Sequence, residues 1–242
     1  MNKDILLIIS FTAGFLSLSG QSDNPYTAAL DVRKQGVYSH YADSYVANIL
    51  TGRRFSDSRN QFKQFFLGKY TVNGSLIYDG VLFEDVELQY NLHNQNIVVL
   101  LETENIERYI TVTLDKVSGF SVYGHDFTRV PGDSVMEKGI YELAYAGETS
   151  SVFIKRTTQE NREIEGREIK YEYSPINKYY VRNEYGTYRI TSKKELLKAY
   201  QNSGQLISIL KKHKVRFSKK KIEQGLVTAI SQLEKGSGPA GL

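Results

Sequence analysis

The side chains best suited to chemistry are few in this chain, and they are scattered. It has four histidines, His40, His93, His125 and His213, and no cysteine. Zinc is held by three or four His, Cys or carboxylate ligands that converge on one point. No two of these histidines stand at ligand spacing, and His125-Asp126 is an adjacent pair that reads as a strand end or a loop. A serine nucleophile on a strand–turn–helix elbow leaves a Gly-x-Ser-x-Gly signature, which is missing. Triads assemble in space rather than in sequence, so a hydrolase without a signature stays as a third reading. Glycosidase carboxylates are defined by a separation of about 5–10 Å in space. Glu84, Asp85 and Glu87 crowd one strand and read as solvated. There is no phosphate-binding Walker loop and no dinucleotide fingerprint. The expectation is a non-enzymatic protein that needs no cofactor and no metal.

Charge is more informative. Between Ser192 and Lys221 stand Lys193, Lys194, Lys198, Lys211, Lys212, Lys214, Arg216, Lys219, Lys220 and Lys221, against Glu195 alone. That segment carries +9, and the whole chain only +4, so the remainder is at −5. Such an asymmetry suggests that the two parts meet different partners, or each other. These ten cations are the candidate contact residues, and a protein with an acidic surface is the expected partner. Anionic lipid head groups also attract clustered lysines. No base-reading module accompanies the cations, so nucleic acid is not expected. Tyrosine is abundant and tryptophan absent. Tyr38, Tyr41, Tyr45, Tyr171 and Tyr173 can offer faces on which a sugar stacks, which makes a glycan-binding accessory module the alternative. Tyrosine is also simply a good half-buried strand residue with a polar tip, and that reading carries more weight.

The elements that must position these residues fall into two regimes. From Phe65 to Ile190, Tyr, Val, Ile, Leu and Phe recur with a period near two, and turn residues punctuate them at short intervals. The spacing predicts strands over 67–72, 75–78, 86–90, 97–101, 109–114, 117–122, 140–146, 151–155, 178–182 and 187–190. Turns are expected at Asn73-Gly74, Asp79-Gly80, Gly147-Glu148 and Glu184-Tyr185-Gly186. Residues 156–170 are almost wholly polar and predict an exposed loop or a mobile excursion. The fold class is mainly β (α+β): an antiparallel meander, as a curled sheet or a small barrel or sandwich, with a C-terminal helical hairpin. In that hairpin Ser192-Lys193-Lys194-Glu195 is a capping box. Asn202-Ser203-Gly204 weakens the first helix and is a place for it to kink or split. Ser218 is a cap for a second helix with Ile222, Leu226, Ile230 and Leu233 on one stripe.

The N-terminus has its own signal. Lys3 precedes an apolar run from Ile5 to Leu18, and small residues Ser17, Ser19 and Gly20 follow before a polar stretch. This is the layout of a secretory signal peptide, with cleavage expected near Ser19 or Gly20. The run is short of the ~20 apolar residues a spanning helix needs, so no transmembrane span is expected after cleavage. No cysteine stands at the exit to carry a thioether-linked lipid. The remaining chain is long enough to build a core without disulfides. The resulting division is a signal peptide at 1–20, a lead-in segment at 21–66, a β-rich domain at 67–190, a basic helical pair at 191–235 and a flexible tail at 236–242.

Across about 66–235 the chain resembles uncharacterised exported β-rich proteins of Bacteroidota. The matching residues are Gly68, Asp79-Gly80, Val86-x-Leu88-x-Tyr90-Asn91, Val117-x-x-Phe120, Phe127, Tyr179-Tyr180 and the lysine-rich helical end. The resemblance implies a Gram-negative envelope location, in the periplasm or at the periphery of the outer membrane, and supplies no catalytic residues. In that setting Asp133-Ser134-Val135 is similar to the Asp-Ser/Thr-aliphatic acceptor for O-glycosylation, which makes Ser134 a candidate glycan acceptor.

Overall fold

The computed structural model describes residues 50, 52–55, 62–68, 70–103, 106–165, 168–218 and 220–237. The signal peptide read at 1–20, most of the lead-in segment with Tyr38, Tyr41 and Tyr45, and Lys219 lie outside the described residues.

Among the described residues, eleven strands form one antiparallel sheet. They are β1 (Gly52–Arg54), β2 (Val72–Tyr78), β3 (Val81–Asn91), β4 (Asn96–Thr103), β5 (Ile106–Val112), β6 (Val117–Val122), β7 (His125–Val130), β8 (Gly139–Ala146), β9 (Ser151–Glu165), β10 (Glu168–Asn183) and β11 (Gly186–Ile190). Their order across the sheet is β1-β5-β4-β3-β2-β6-β7-β8-β9-β10-β11. Two meanders, β2–β5 and β6–β11, therefore join where β6 returns to pair with β2. The sheet does not close into a barrel. It does roll up: in a flat sheet β3 and β9 would lie five strand spacings, roughly 24 Å, apart. Yet Gln95, in the β3–β4 turn, donates to the Arg156 carbonyl on β9 at 2.9 Å. Leu76, Phe83, Leu88, Tyr90, Ile97, Val99, Phe120 and Phe127 fill the interior of the roll. Phe120 and Phe127 stack at 4.7 Å there, and Tyr90 meets both edge-on.

Several sequence expectations change. Asp79-Gly80 does turn β2 into β3, both residues having positive φ. Asn73-Gly74 is not a turn but lies inside β2, opposite Glu87 and Val86. A Cβ on Gly74 would sit 2.1 Å from the Ser121 carbonyl, so glycine is there to let β6 approach. Gln89 alternates with the apolar Leu88 and Tyr90 on β3, the pattern of a solvent-facing residue, yet it is buried. Residues 156–170 are not a loop. β9 and β10 stay paired from Arg182↔Ser151 out to Glu168↔Glu165. Beyond Lys155↔Lys178 this ribbon has no other strand beside it among the described residues. With two exposed faces along much of its length, it shows none of the apolar alternation that marks a half-buried strand.

The helical pair is three helices: α1 (Lys193–Ala199), α2 (Gly204–Lys212) and α3 (Ile222–Ser237). The split falls at Gln201 and Asn202, both with positive φ. α3 includes Gly236 and Ser237, the first two residues of the segment expected to be a flexible tail; residues 238–242 lie outside the described residues. The capping box forms in a shifted version. Ser192 accepts from the Glu195 amide, while Glu195 reaches back to the Thr191 amide and hydroxyl. Leu196, Ala199, Leu206, Leu210, Leu226, Ala229 and Ile230 pack with Val152, Val181 and Ile190 as a second core against β9–β11.

Candidate functional site

Among the described residues, two carboxylate ties link α3 to the sheet. The first centres on Arg156 of β9, whose side chain is 10% exposed. Its Nε donates to Glu142 of β8, a carboxylate that is 4% exposed. Its terminal nitrogens donate to both oxygens of Glu223, in the first turn of α3, at 3.0 and 2.8 Å. The other Glu142 oxygen lies 2.7 Å from His125 Nδ1 on β7. Phe66 closes the assembly, 5.1 Å from the His125 ring and beneath the guanidinium at 5.7 Å. Burial alone would pull the guanidinium down, but hydrogen bonds to Glu223 and Glu142 outweigh it and hold Arg156 above its ordinary value. The second tie is Glu234, in the last part of α3. It accepts from the Glu148 and Thr149 amides and the Thr149 hydroxyl in the β8–β9 turn. Gly147 leaves room for that carboxylate, since a Cβ there would fall 1.8 Å from Glu234 Oε2.

These ties fix where the cations stand. Lys193, Lys194 and Lys198 are exposed on α1, and Lys211, Lys212, Lys214, Arg216, Lys220 and Lys221 are exposed around the α2–α3 turn. Seven residues of α2, about 10 Å of helix, lie between the two groups. The ten cations read as one cluster are therefore two, with Lys219 outside the described residues. None of the nine described cations has an ion-pair partner among the described residues. The turn itself is well anchored. Lys214 has positive φ, the Val215 amide returns to the Leu210 carbonyl, and Val215 and Phe217 pack inward on the helical core. Gly225 of α3 lets the turn lie close: a Cβ there would be 2.8 Å from the Arg216 carbonyl.

Ser134 is exposed, in the loop between β7 and β8. Its neighbour Asp133 is committed to the fold. The Asp133 carboxylate accepts from the Val135 and Met136 amides at 2.7 Å, from Arg182 at 2.8 Å and from Thr187 at 3.0 Å. Burial alone would raise this carboxyl; the four hydrogen bonds overcome that and hold it at about 2.

The tyrosine faces are less open than the sequence suggested. Tyr173 is buried, with its ring 5.2 Å from His93 and its hydroxyl on Glu160 at 3.0 Å. Tyr171 lies beneath Arg162 at 5.5 Å. His125 pairs with Glu142 rather than forming a metal set with Asp126. Among the described residues no group of three or more His, Asp or Glu is placed to hold a metal ion. Likewise no described helix is long and apolar enough to cross a membrane.

Sequence reading did not find the Arg156 tie, although one signal was present. Glu142 is a charge in the middle of the otherwise apolar strand Ile140–Ala146, and a buried carboxylate must find a cation. Comparison with protein-family models, with curated proteins and with solved structures found no match to this chain.

Proposed function

We propose that this is a non-enzymatic, exported cell-envelope protein that works by protein–protein contact. It serves as an accessory subunit of a membrane protein assembly, in the periplasm or at the outer-membrane periphery of a Gram-negative bacterium. The observation that carries the reading is the helical unit. Its apolar side is spent on the sheet, two carboxylate ties fix it there, and its outer side displays nine described cations without described acidic partners. A surface fixed in advance loses little conformational freedom on binding. The secretory layout of residues 1–20 supports the location, and the absence of a catalytic signature in the sequence supports contact rather than turnover.

Affinity purification of the tagged chain from native envelopes tests this reading. A membrane protein recovered in constant ratio, and released as salt rises, is the expected result. Recovery of the chain alone, together with specific binding on a glycan array, would replace it with the glycan-binding reading. Detection of the uncleaved chain in the cytosol would remove the envelope setting altogether.

A further inference from the structure

We infer that the contact surface is the α2–α3 turn alone, built from Lys214, Arg216, Lys220 and Lys221, and that it receives an acidic peptide segment of a partner protein. This rests on the contact reading above and narrows it to one of the two cation groups.

Helix electrostatics separate the cations: on α1, Lys198 ends the helix, and Lys193 and Lys194 share its first turn with the acidic Glu195, whose carboxylate accepts from Thr191. Lys211 and Lys212 end α2, where the helix dipole favours positive charge. Lys220 and Lys221 immediately precede α3, where it disfavours it. The nearest carboxylate in sequence, Glu223, does not compensate them, because both its oxygens are taken by Arg156. Lys214 and Arg216 are exposed on a turn whose shape is set by Val215, Phe217 and Gly225, none of which needs charge beside it. The turn therefore gathers like charge at a cost to its own helix, and an anionic partner removes that cost.

The chemistry of the surroundings selects among anions. A membrane-docking helix carries aliphatic or aromatic residues that enter the lipid. Here Val215 and Phe217 point inward, and none of the exposed large apolar residues among the described ones falls within α1–α3. The same lack of open aromatic faces gives nucleobases nothing to stack on. Lysine, a hydrated point charge, also dominates over arginine, whose planar fork suits bidentate capture of phosphate. Carboxylates on an extended, wet segment fit what remains.

The test compares two sets of equal charge change in the mature chain: Arg216, Lys220 and Lys221→Gln against Lys193, Lys194 and Lys198→Gln. The probes are a fluorescent oligoglutamate peptide and vesicles containing anionic phosphatidylglycerol, each at low and high salt. The expected result is peptide binding that falls at least tenfold in the turn set and less than threefold in the α1 set. Equal losses in both sets would show that net charge alone is read, and would overturn the inference. Binding of vesicles with no binding of peptide would overturn it in favour of lipid phosphate. The same sets, used to recover the envelope partner, keep the two levels apart. A partner retained by both sets leaves the contact reading standing and removes the turn from it, whereas no partner for the unchanged chain removes the contact reading itself.

Discussion

Replacing Arg156 with methionine tests how the helical unit is held. Methionine keeps the aliphatic part of the side chain, but Glu142 loses its cation, Glu223 loses its tie and Phe66 loses the guanidinium over its ring. Breaking a buried ion pair by removing one partner costs about 3–5 kcal/mol. Protonation sets a ceiling on the part due to stranded charge. Neutralising a carboxylate of ordinary value near 4.3 costs about 1.36 kcal/mol per pH unit above it, hence ~3.7 kcal/mol at pH 7 and ~1.6 kcal/mol at pH 5.5. The sign follows from proton uptake: in the variant the folded state takes up a proton that the unfolded state does not hold, so its stability falls as pH rises. The variant should therefore lie about 3 kcal/mol below the parent at pH 7 and about half that at pH 5.5. Urea unfolding followed by circular dichroism at the two pH values measures this. Adding Glu142→Met should return at least half of the loss, because a well-packed apolar pair replaces a buried ionic one at little cost. A deficit below about 1 kcal/mol at pH 7, or one that grows as pH falls, would refute the reasoning.

Asp133→Asn should lower stability by about 1–2 kcal/mol at neutral pH, since the carboxyl is held at about 2 in the folded chain. That contribution is present above the ordinary carboxylate range and is lost as pH falls through about 2, so parent and variant should converge there in acid unfolding. Thr158→Val should stabilise the fold by up to about 1 kcal/mol, read as a higher urea midpoint. The Thr158 hydroxyl is buried without a hydrogen-bond partner, and a methyl group of the same shape has nothing to satisfy. Lys221→Glu should stabilise the helical unit by about 0.3–1 kcal/mol through the dipole of α3 while weakening binding of acidic peptide, as thermal melts and anisotropy titrations would show. Movement of both quantities in the same direction would contradict the assignment of a binding role to that turn.

The parts of the fold legible in the sequence are those in which local chemistry and tertiary demand agree. Asp79-Gly80 takes positive φ because both residue types tolerate it, and β2–β3 follows from the flanking alternation. β8–β9 and β10–β11 are legible for the same reason, as is the capping box that starts α1. What was not legible depends on distant residues. Asn73-Gly74 carries turn chemistry, but Gly74 serves the close approach of Ser121, 47 residues later, and no local pattern records that. The β9–β10 ribbon is polar because much of it is wet, and its strands are set by pairing rather than by burial. Gln89 alternates correctly with Leu88 and Tyr90, yet both faces of β3 are covered at its level.

The candidate surface follows the same division. The cations were visible as composition, and their separation into two groups needed the break at Gln201 and Asn202. The tie that orients them joins β7, β8, β9 and α3 through His125, Glu142, Arg156 and Glu223. Those residues are far apart in the chain, and nothing in their spacing links them.

Hydrogen exchange on the chain, alone and in complex with a protein that co-purifies with it, addresses the proposed contact itself. Slower exchange across 211–221, with 193–198 unchanged and the protection lost in high salt, is the outcome expected of a basic turn that seats an acidic segment. Protection confined to other parts of the sheet, or a chain that never leaves the envelope in company, would contradict it.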